Sequence, residues 1–164
     1  SNELGHILDH LMAVLSSDHE QYDALVVETS GLADPGPIIR CFLQLRSSIF
    51  QLDSVITMVD THSFHRFYPD HLPFEMEAQL LHADTVILNK IDLIAQDKLM
   101  EIETIIQENY NTKIWQNSKT QPMLIDPLLN VQTFDHDRFY QISHKTTVKH
   151  SPIVKIRLSM CVFL

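Results

Sequence analysis

Residues 85–92 read Thr85-Val86-Ile87-Leu88-Asn89-Lys90-Ile91-Asp92, an apolar run followed at once by a polar turn. The apolar part has no polar face, which is typical of a parallel strand covered by helices on both sides. Two similar runs lie upstream and also end in a carboxylate: Ala24-Leu25-Val26-Val27-Glu28 and Ser54-Val55-Ile56-Thr57-Met58-Val59-Asp60. We therefore expect the three runs to be strands of one parallel sheet.

Helical patterns separate these strands, and the segment from Asp60 to about Pro73 is expected to be a variable loop. The alternation of strand and helix predicts an α/β fold with a doubly wound, mostly parallel sheet. In such sheets ligands bind beyond the carboxyl ends of the strands. The predicted helices and the fourth strand are, in chain order, helices over 3–17, 38–45 and 75–82, a helix with Asp97 as its N-cap, and a strand over 113–115.

The turn Asn89-Lys90-Ile91-Asp92 has the chemistry of a guanine-binding loop. The Asp92 carboxylate can accept hydrogen bonds from the ring N–H and the exocyclic amine of guanine, and each charged bond contributes ~1.5–3 kcal/mol. Asn89 can hold the far edge of the base while the stem of Lys90 lies along its face. Backbone N–H groups near Asn117 and Ser118 can receive the guanine carbonyl. The alternative is a short polar turn in which Asp92 caps a helix.

A second candidate site follows the first strand, at Glu28-Thr29-Ser30-Gly31. A carboxylate at the end of a buried strand is placed to hold Mg²⁺ directly or through water. Gly31 allows its N–H to approach a terminal phosphate closely, and residues 32–35 would move when that phosphate leaves. The alternative is an ordinary turn with Glu28 as an exposed strand end.

The chain has only three glycines, Gly5, Gly31 and Gly36, so it has little material for a phosphate-binding loop. A P-loop needs Lys and then Ser or Thr after its second glycine, but Pro37 and Ile38 follow Gly36. These 164 residues therefore contain no P-loop.

The charge and composition of the chain argue against some classes of partner. The net charge is −9, and residues 1–89 carry three basic side chains against thirteen acidic ones, so nucleic acid is a poor partner. No apolar run reaches ~18 residues, which argues against a membrane span. Cys41 and Cys161 form no C-x-x-C motif, so we expect a reducing, cytoplasmic location.

Three stretches together resemble the CobW-type GTPases, relatives of the urease and hydrogenase nickel-insertion GTPases. They are residues 22–35, which include Glu28-Thr29-Ser30-Gly31-Leu32-Ala33-Asp34-Pro35, residues 55–60 and residues 78–93. The resemblance covers roughly residues 4–130. It implies a P-loop NTPase-like fold and a GTP-hydrolysing metallochaperone that delivers zinc, cobalt or a related ion to a client metalloprotein.

The resemblance also assigns roles to individual residues. Glu28, acting on Mg²⁺ through water, and Gly31 match the family's catalytic segment at Mg²⁺ and the γ-phosphate. Asn89, Lys90 and Asp92 match its guanine-specificity loop, which binds GTP or GDP.

The chain departs from the family at both ends. Family members begin with a strand, a P-loop and a Cys-x-Cys-Cys metal motif, and this sequence starts downstream of all three. We expect residues 1–135 to be the central and C-terminal part of a GTPase domain truncated at its N-terminus. Residues 136–164 would be a linker and the first strand, 153–158, of a different sheet or a truncated following domain. Little or no GTP hydrolysis is then expected from this chain alone.

Two other functions stay open. The chain can be a non-catalytic interaction module that forms homo-oligomers through an exposed sheet edge, since unpaired edges invite association. It can also be a histidine-based metal-binding protein, because His62 and His65 lie near Asp carboxylates. The alternative for these histidines is a solvated loop without metal.

Overall fold

The computed structural model describes residues 6, 10, 13, 14, 24–29, 31, 33–44, 50–68, 72–124, 126–129, 131–142 and 156–163. Its strands form one sheet, and every pairing in that sheet is parallel. The strands are β1 (Ala24–Thr29), β2 (Phe50–Asp60), β3 (Thr85–Asn89), β4 (Lys113–Gln116) and β5 (Ile156–Phe163). Their order across the sheet is β1-β5-β2-β3-β4.

Helices follow the strands as the sequence pattern predicts, and the α/β fold class is confirmed. His6, His10, Ala13 and Val14 are helical, within the predicted helix over 3–17. None of the helices in the described part of the chain is long and apolar enough to cross a membrane. The labelled helices are α1 (Gly36–Gln44), α2 (Thr61–Phe67), α3 (Phe74–His82), α4 (Gln96–Asn109) and α5 (His136–Ile142).

Two local predictions are wrong. The segment after Asp60 is not a loop at its start, because the Asp60 carboxylate accepts hydrogen bonds from the N–H groups of His62 and Ser63 and so caps α2. Asp97 is not an N-cap. Ala95 has that position in α4, and Asp97 lies in the first turn, where a negative charge favours the positive end of the helix dipole.

The last strand also differs from expectation. β5 is not part of another sheet, since it lies between β1 and β2 and pairs with both. Residues 136–142, the start of the predicted linker, form α5, whose Phe139 is only 2% exposed and packs with Ile39 and Phe42. The predicted strand residues 153–155 lie outside the described residues. A parallel strand needs a long crossover connection, and α5 is part of the one between β4 and β5.

The core lies on both faces of the sheet. Val86 and Leu88 pack with Val59, Leu80 and residues of α4 in one cluster. The buried members of this cluster are Val59, Phe64, Leu80, Ala83, Val86, Leu88, Leu99, Ile102 and Ile106. Ile87 belongs to a different cluster, with Ile56 and Leu128. Because alternate residues of a strand point to opposite faces, both faces of β3 are buried. This accounts for the uninterrupted apolar run in the sequence.

A buried ion pair joins α5 to the amino end of β3. The Arg138 guanidinium donates hydrogen bonds to the Asp84 carboxylate and to the backbone carbonyls of Asn111 and His82. The other Asp84 oxygen accepts from the N–H of Val55 at 2.8 Å. Burial raises the pKa of Asp84 to about 6, although the Val55 N–H and Arg138 act in the opposite direction.

The pKa of Asp84 gives this ion pair a pH dependence. Because the folded-state pKa lies above the usual 3.8, the carboxyl group favours the folded state most at low pH. That contribution is lost as the pH rises from about 4 to about 6. Above this range the carboxylate is ionised and depends on Arg138 for compensation.

We predict that Arg138→Met lowers the free energy of unfolding by about 3–5 kcal/mol at pH 8, because it leaves a buried carboxylate unpaired. At pH 4 the loss should be smaller, since Asp84 is then protonated. Denaturant unfolding at the two pH values measures both. The control is Lys98→Met, which removes an exposed ion pair with Glu101 and should cost less than about 1 kcal/mol. Equal losses at both pH values for Arg138→Met would contradict the assignment.

Candidate functional site

The polar strand ends meet at the carboxyl edge of the sheet. β2 and β3 pair in a register that places Asp60 directly beside Asn89, the last residue of each strand. Asn117 follows β4 on the other side of β3. The loop after β3 thus lies between polar groups from both neighbouring strands.

This loop, residues 89–92, is held in an unusual backbone conformation. Lys90 has a φ of 60°, in the left-handed region that side-chain-bearing residues seldom adopt. Its N–H donates to Oδ1 of Asn89 at 2.9 Å. The hydroxyl of Thr61 donates toward the carbonyls of Asn89 at 3.0 Å and Lys90 at 3.3 Å. These bonds offset the backbone strain, which is of the order of 1–3 kcal/mol.

Asp60 fixes the side chain of the same lysine. Its Oδ2 lies 2.6 Å from Nζ of Lys90, while its Oδ1 caps α2. Burial alone would raise the pKa of Asp60, but the Lys90 ammonium and the N–H groups of Ser63 and His62 outweigh it, so the pKa is lower than usual. Asp60 is therefore a carboxylate at neutral pH, and it anchors both the helix and the lysine.

Asn117 links the turn after β4 to the same loop. Its Nδ2 donates to Oδ1 of Asn89 at 2.8 Å, and its Oδ1 accepts from the N–H of Met123 at 2.8 Å. The backbone N–H of Asn117 donates to the Leu88 carbonyl at 2.8 Å, so in this arrangement it is not available for a guanine carbonyl. The N–H of Ser118 makes a longer bond of 3.3 Å to the carbonyl of Gln121.

Asp92 differs from its neighbours because it has no structural partner among the described residues. It lies in the middle of the 3₁₀ turn Ile91–Leu93, and its side chain is exposed. It does not cap a helix, since the N-cap positions of this turn and of α4 belong to Lys90 and Ala95. The capping alternative does not account for this carboxylate.

The second group of predicted residues lies three strands away. Glu28 is exposed near the end of β1, and Gly31 lies exposed in the turn that follows. Between them, Thr29 is buried, and its hydroxyl has no hydrogen-bond partner in the described part of the chain. Since β1, β5, β2 and β3 are successive neighbours about 4.8 Å apart, Glu28 and Asn89 are about 14 Å apart across the sheet. The two groups can contact opposite ends of one elongated ligand, but not one metal ion.

Sequence reasoning missed Gln79 and His82, two buried polar residues of α3. Gln79 donates to the backbone carbonyls of Gly31 and Ala33, and His82 packs beside Asp34 and Gly36. The available signal was a glutamine between apolar residues, Ala78 and Leu80, on the buried side of a short helix. Burial also lowers the pKa of His82, with Arg40 and Arg138 adding to the effect and Asp34 opposing it.

The predicted histidine ligands are not brought together into a metal site. His62 is exposed and His65 is half-buried, both on α2. Across the described residues, no three His, Cys, Asp or Glu side chains lie close enough to share a metal ion.

The parallel sheet and the polar groups at its carboxyl edge are those of an α/β nucleotide-binding domain of the P-loop NTPase type. Comparison with protein families shows which family of nucleotide-binding domains this is. The model of the CobW/HypB/UreG nucleotide-binding domain matches residues 3–115, and the chain belongs to this family.

The names of three relatives refer to zinc. The chain is 28% identical over 145 residues to a zinc-regulated GTPase metalloprotein activator of Schizosaccharomyces pombe, covering 86% of this chain and 34% of the relative. It is 35% identical over 105 residues to the zinc chaperone YjiA of Escherichia coli, covering 62% and 32%. It is 32% identical over 124 residues to the zinc chaperone CobW of a Sinorhizobium species, covering 62% and 35%. The chain thus spans about a third of the length of these relatives, and no solved structure matches it.

The different surroundings of the two aspartates lead to a prediction about stability. Asp60→Ala removes the N-cap of α2 and the partner of Lys90, and should lower the free energy of unfolding by about 1–2 kcal/mol. Asp92→Ala removes an exposed carboxylate without a partner in the described structure and should change it by less than about 0.5 kcal/mol. Urea unfolding of both variants at neutral pH checks the pair. A loss for Asp92→Ala as large as that for Asp60→Ala would show that Asp92 is structural.

Proposed function

We propose that the loop over residues 89–92 binds the guanine base of GTP or GDP. The observation that carries this proposal is the exposed Asp92 carboxylate, which has no described partner and extends from a loop whose other polar groups are fixed. A carboxylate held ready in this way complements the two adjacent N–H donors of guanine, whereas adenine has no such pair.

The neighbouring side chains support the same orientation of the base. Lys90 is held by Asp60 through its ammonium group, which leaves its aliphatic stem to lie along a base. Oδ1 of Asn89 is fully engaged, but its Nδ2 makes only a 3.5 Å contact with the sulfur of Met58. That weakly held donor can exchange its sulfur contact for one with the far edge of guanine, while Oδ1 keeps its two bonds. The Ser118 N–H, with its long bond, is the better candidate of the 117–118 pair for the guanine carbonyl.

The residues at the end of β1 are suited to the phosphate end of the nucleotide. Glu28 supplies an exposed carboxylate, and carboxylate oxygens are among the ligands that Mg²⁺ prefers. In this proposal Glu28 holds Mg²⁺ through water and the N–H of Gly31 faces the terminal phosphate. Bound Mg²⁺ would neutralise charge on the phosphates during hydrolysis.

For the whole protein we propose metal delivery to a client metalloprotein, coupled to GTP hydrolysis in the cytoplasm. The names of the relatives favour zinc over cobalt as the cargo. The metal would be a substrate carried by the protein, and no described cluster on this chain holds it.

A second candidate function is an interaction module. β1 is an edge strand of the described sheet, and Val26 in its middle is 58% exposed. An edge strand with an exposed apolar side chain favours association with another copy of the chain. Light scattering distinguishes the candidates, since a monomer that binds guanine nucleotide has no need of this edge.

We predict that Asp92→Ala weakens binding of fluorescent GDP by at least tenfold, because two charge-assisted hydrogen bonds are lost. Asp92→Asn should reverse the preference of the site from guanine to xanthine, because an amide N–H can donate to the carbonyl that replaces the exocyclic amine. Equilibrium titration with GDP, ADP and xanthosine diphosphate measures this selectivity. Equal competition by GDP and ADP in the unaltered protein would refute guanine recognition.

We further predict little or no GTP hydrolysis by residues 1–164. Positioning and electrostatic stabilisation of the phosphates supply most of the catalysis in such enzymes, and this sequence has no P-loop to provide them. Phosphate release measured with and without Mg²⁺ tests the expectation. A Mg²⁺-dependent rate that disappears in Glu28→Gln would overturn it.

A further inference from the structure

Gln79 is a completely buried polar residue in the middle of α3. Its Nε2 donates one hydrogen bond to the carbonyl of Gly31 at 3.1 Å and another to the carbonyl of Ala33 at 2.9 Å. Both amide protons of this side chain are therefore used on one short segment that lies about fifty residues away in sequence. The flipped amide would place Oε1 against two carbonyl oxygens, so the hydrogen bonds allow one orientation only.

The helix that carries Gln79 is itself fixed at this point. The backbone carbonyl of Gln79 accepts a hydrogen bond from the hydroxyl of Thr57 at 3.0 Å, and Thr57 is a buried residue of β2. Gln79 thus has one end tied to the central sheet and the other to the turn after β1. Movement of the turn relative to the sheet would break at least one of these bonds.

One turn further along the same helix, His82 closes the other end of the segment. Its Nε2 lies 4.0 Å from Oδ1 of Asp34, which also accepts a hydrogen bond from the N–H of Gly36 at 2.8 Å. A methyl group at Gly36 would come within 3.0 Å of the same Nε2, so the backbone approaches this histidine as closely as a glycine permits. Gly31 and residues 33–36 therefore lie against one face of α3, with Gln79 bonded to the first part and His82 close to the second.

We propose that Gln79 is a positioning residue that fixes the backbone at Gly31 and Ala33, in the turn after β1, for contact with the terminal phosphate of the nucleotide. Glycine has the freest backbone of any residue, and a fixed carbonyl restricts the ψ angle of Gly31 directly. The proposal rests on the nucleotide-binding function proposed above, in which the Gly31 N–H faces that phosphate. Gln79 touches neither nucleotide nor metal and acts only through the backbone of the turn.

This role has a specific consequence for nucleotide affinity. A residue that orders the turn for a third phosphate should matter for GTP and very little for GDP. A residue that only supports the fold should weaken both nucleotides alike. The ratio of the two affinities therefore separates positioning from general stability.

The test uses Gln79→Met, which keeps the side-chain length without the donors, and Gln79→Asn, which keeps the amide but shortens its reach. Gln107→Met is the matched control, because Gln107 is exposed on α4. Fluorescent GDP and a non-hydrolysable GTP analogue are titrated into the full chain, and the thermal unfolding midpoint of each variant is recorded. We expect the affinity for the triphosphate to fall roughly tenfold relative to that for the diphosphate in both Gln79 variants. Gln107→Met should leave the ratio unchanged.

The outcomes are distinguishable. If the unaltered protein binds both nucleotides and the Gln79 variants keep its affinity ratio, the positioning role is overturned, whatever their unfolding midpoints. If the unaltered protein binds neither nucleotide, the proposed function fails. Hydrogen exchange measured without nucleotide then still tests the turn: Gln79→Met should speed exchange of the amide protons of Ala33, Asp34 and Gly36 but not of those in β3. Unchanged exchange there would show that Gln79 does not hold the turn.

Discussion

The parallel pairing of β2 with β3 is the constraint on which the candidate site depends. Its register puts Asp60 beside Asn89, and this allows Asp60 to hold Lys90 and Thr61 to bond the carbonyls of the loop. A slip of one residue would move every side chain of β3 to the opposite face of the sheet. The apolar residues Val86, Ile87 and Leu88, all buried, make that slip costly, so packing in the core fixes the geometry of polar groups at the edge.

The site divides its polar residues between two tasks. Three of them form hydrogen bonds within the protein: Asp60, Thr61 and Asn117. These bonds keep Lys90 in the left-handed backbone conformation, which a lysine would not adopt alone. Asp92 makes no such bond with the described chain and stays exposed. Rigid surroundings reduce the entropy that a ligand must remove on binding, so in the proposed guanine site the fixed residues would contribute to recognition without contacting the ligand.

The sequence predicts more of the strands than of the connections. The apolar runs of β1, β2 and β3 are continuous and predict strands. Burial on both faces accounts for the run in β3, but not for that in β1, an edge strand whose Val26 is 58% exposed. α2 was missed because its residues are polar and aromatic, and its start depends on the Asp60 cap. The place of β5 could not be predicted, because the strand order in a parallel sheet follows from crossovers between distant segments. The sequence marks Asp92 as a candidate through the Asn89-Lys90-Ile91-Asp92 motif, and its role stays a prediction. The contacts of Gln79 could not be predicted, since its partners are backbone carbonyls that no sequence pattern marks.

The central position of β5 has a consequence for how the chain reaches its native state. β2, β3 and β4 pair with their neighbours in sequence order and can associate through local connections. In the described sheet β1 pairs only with β5, and Ala24 lies beside Arg157, which is far away in sequence. Closing so long a loop is slow, because the chain loses conformational entropy before the contacts between the two strands form and compensate for that loss. During synthesis β1 therefore leaves the ribosome long before β5, and the pairing between these two strands forms only after the later strand has been made.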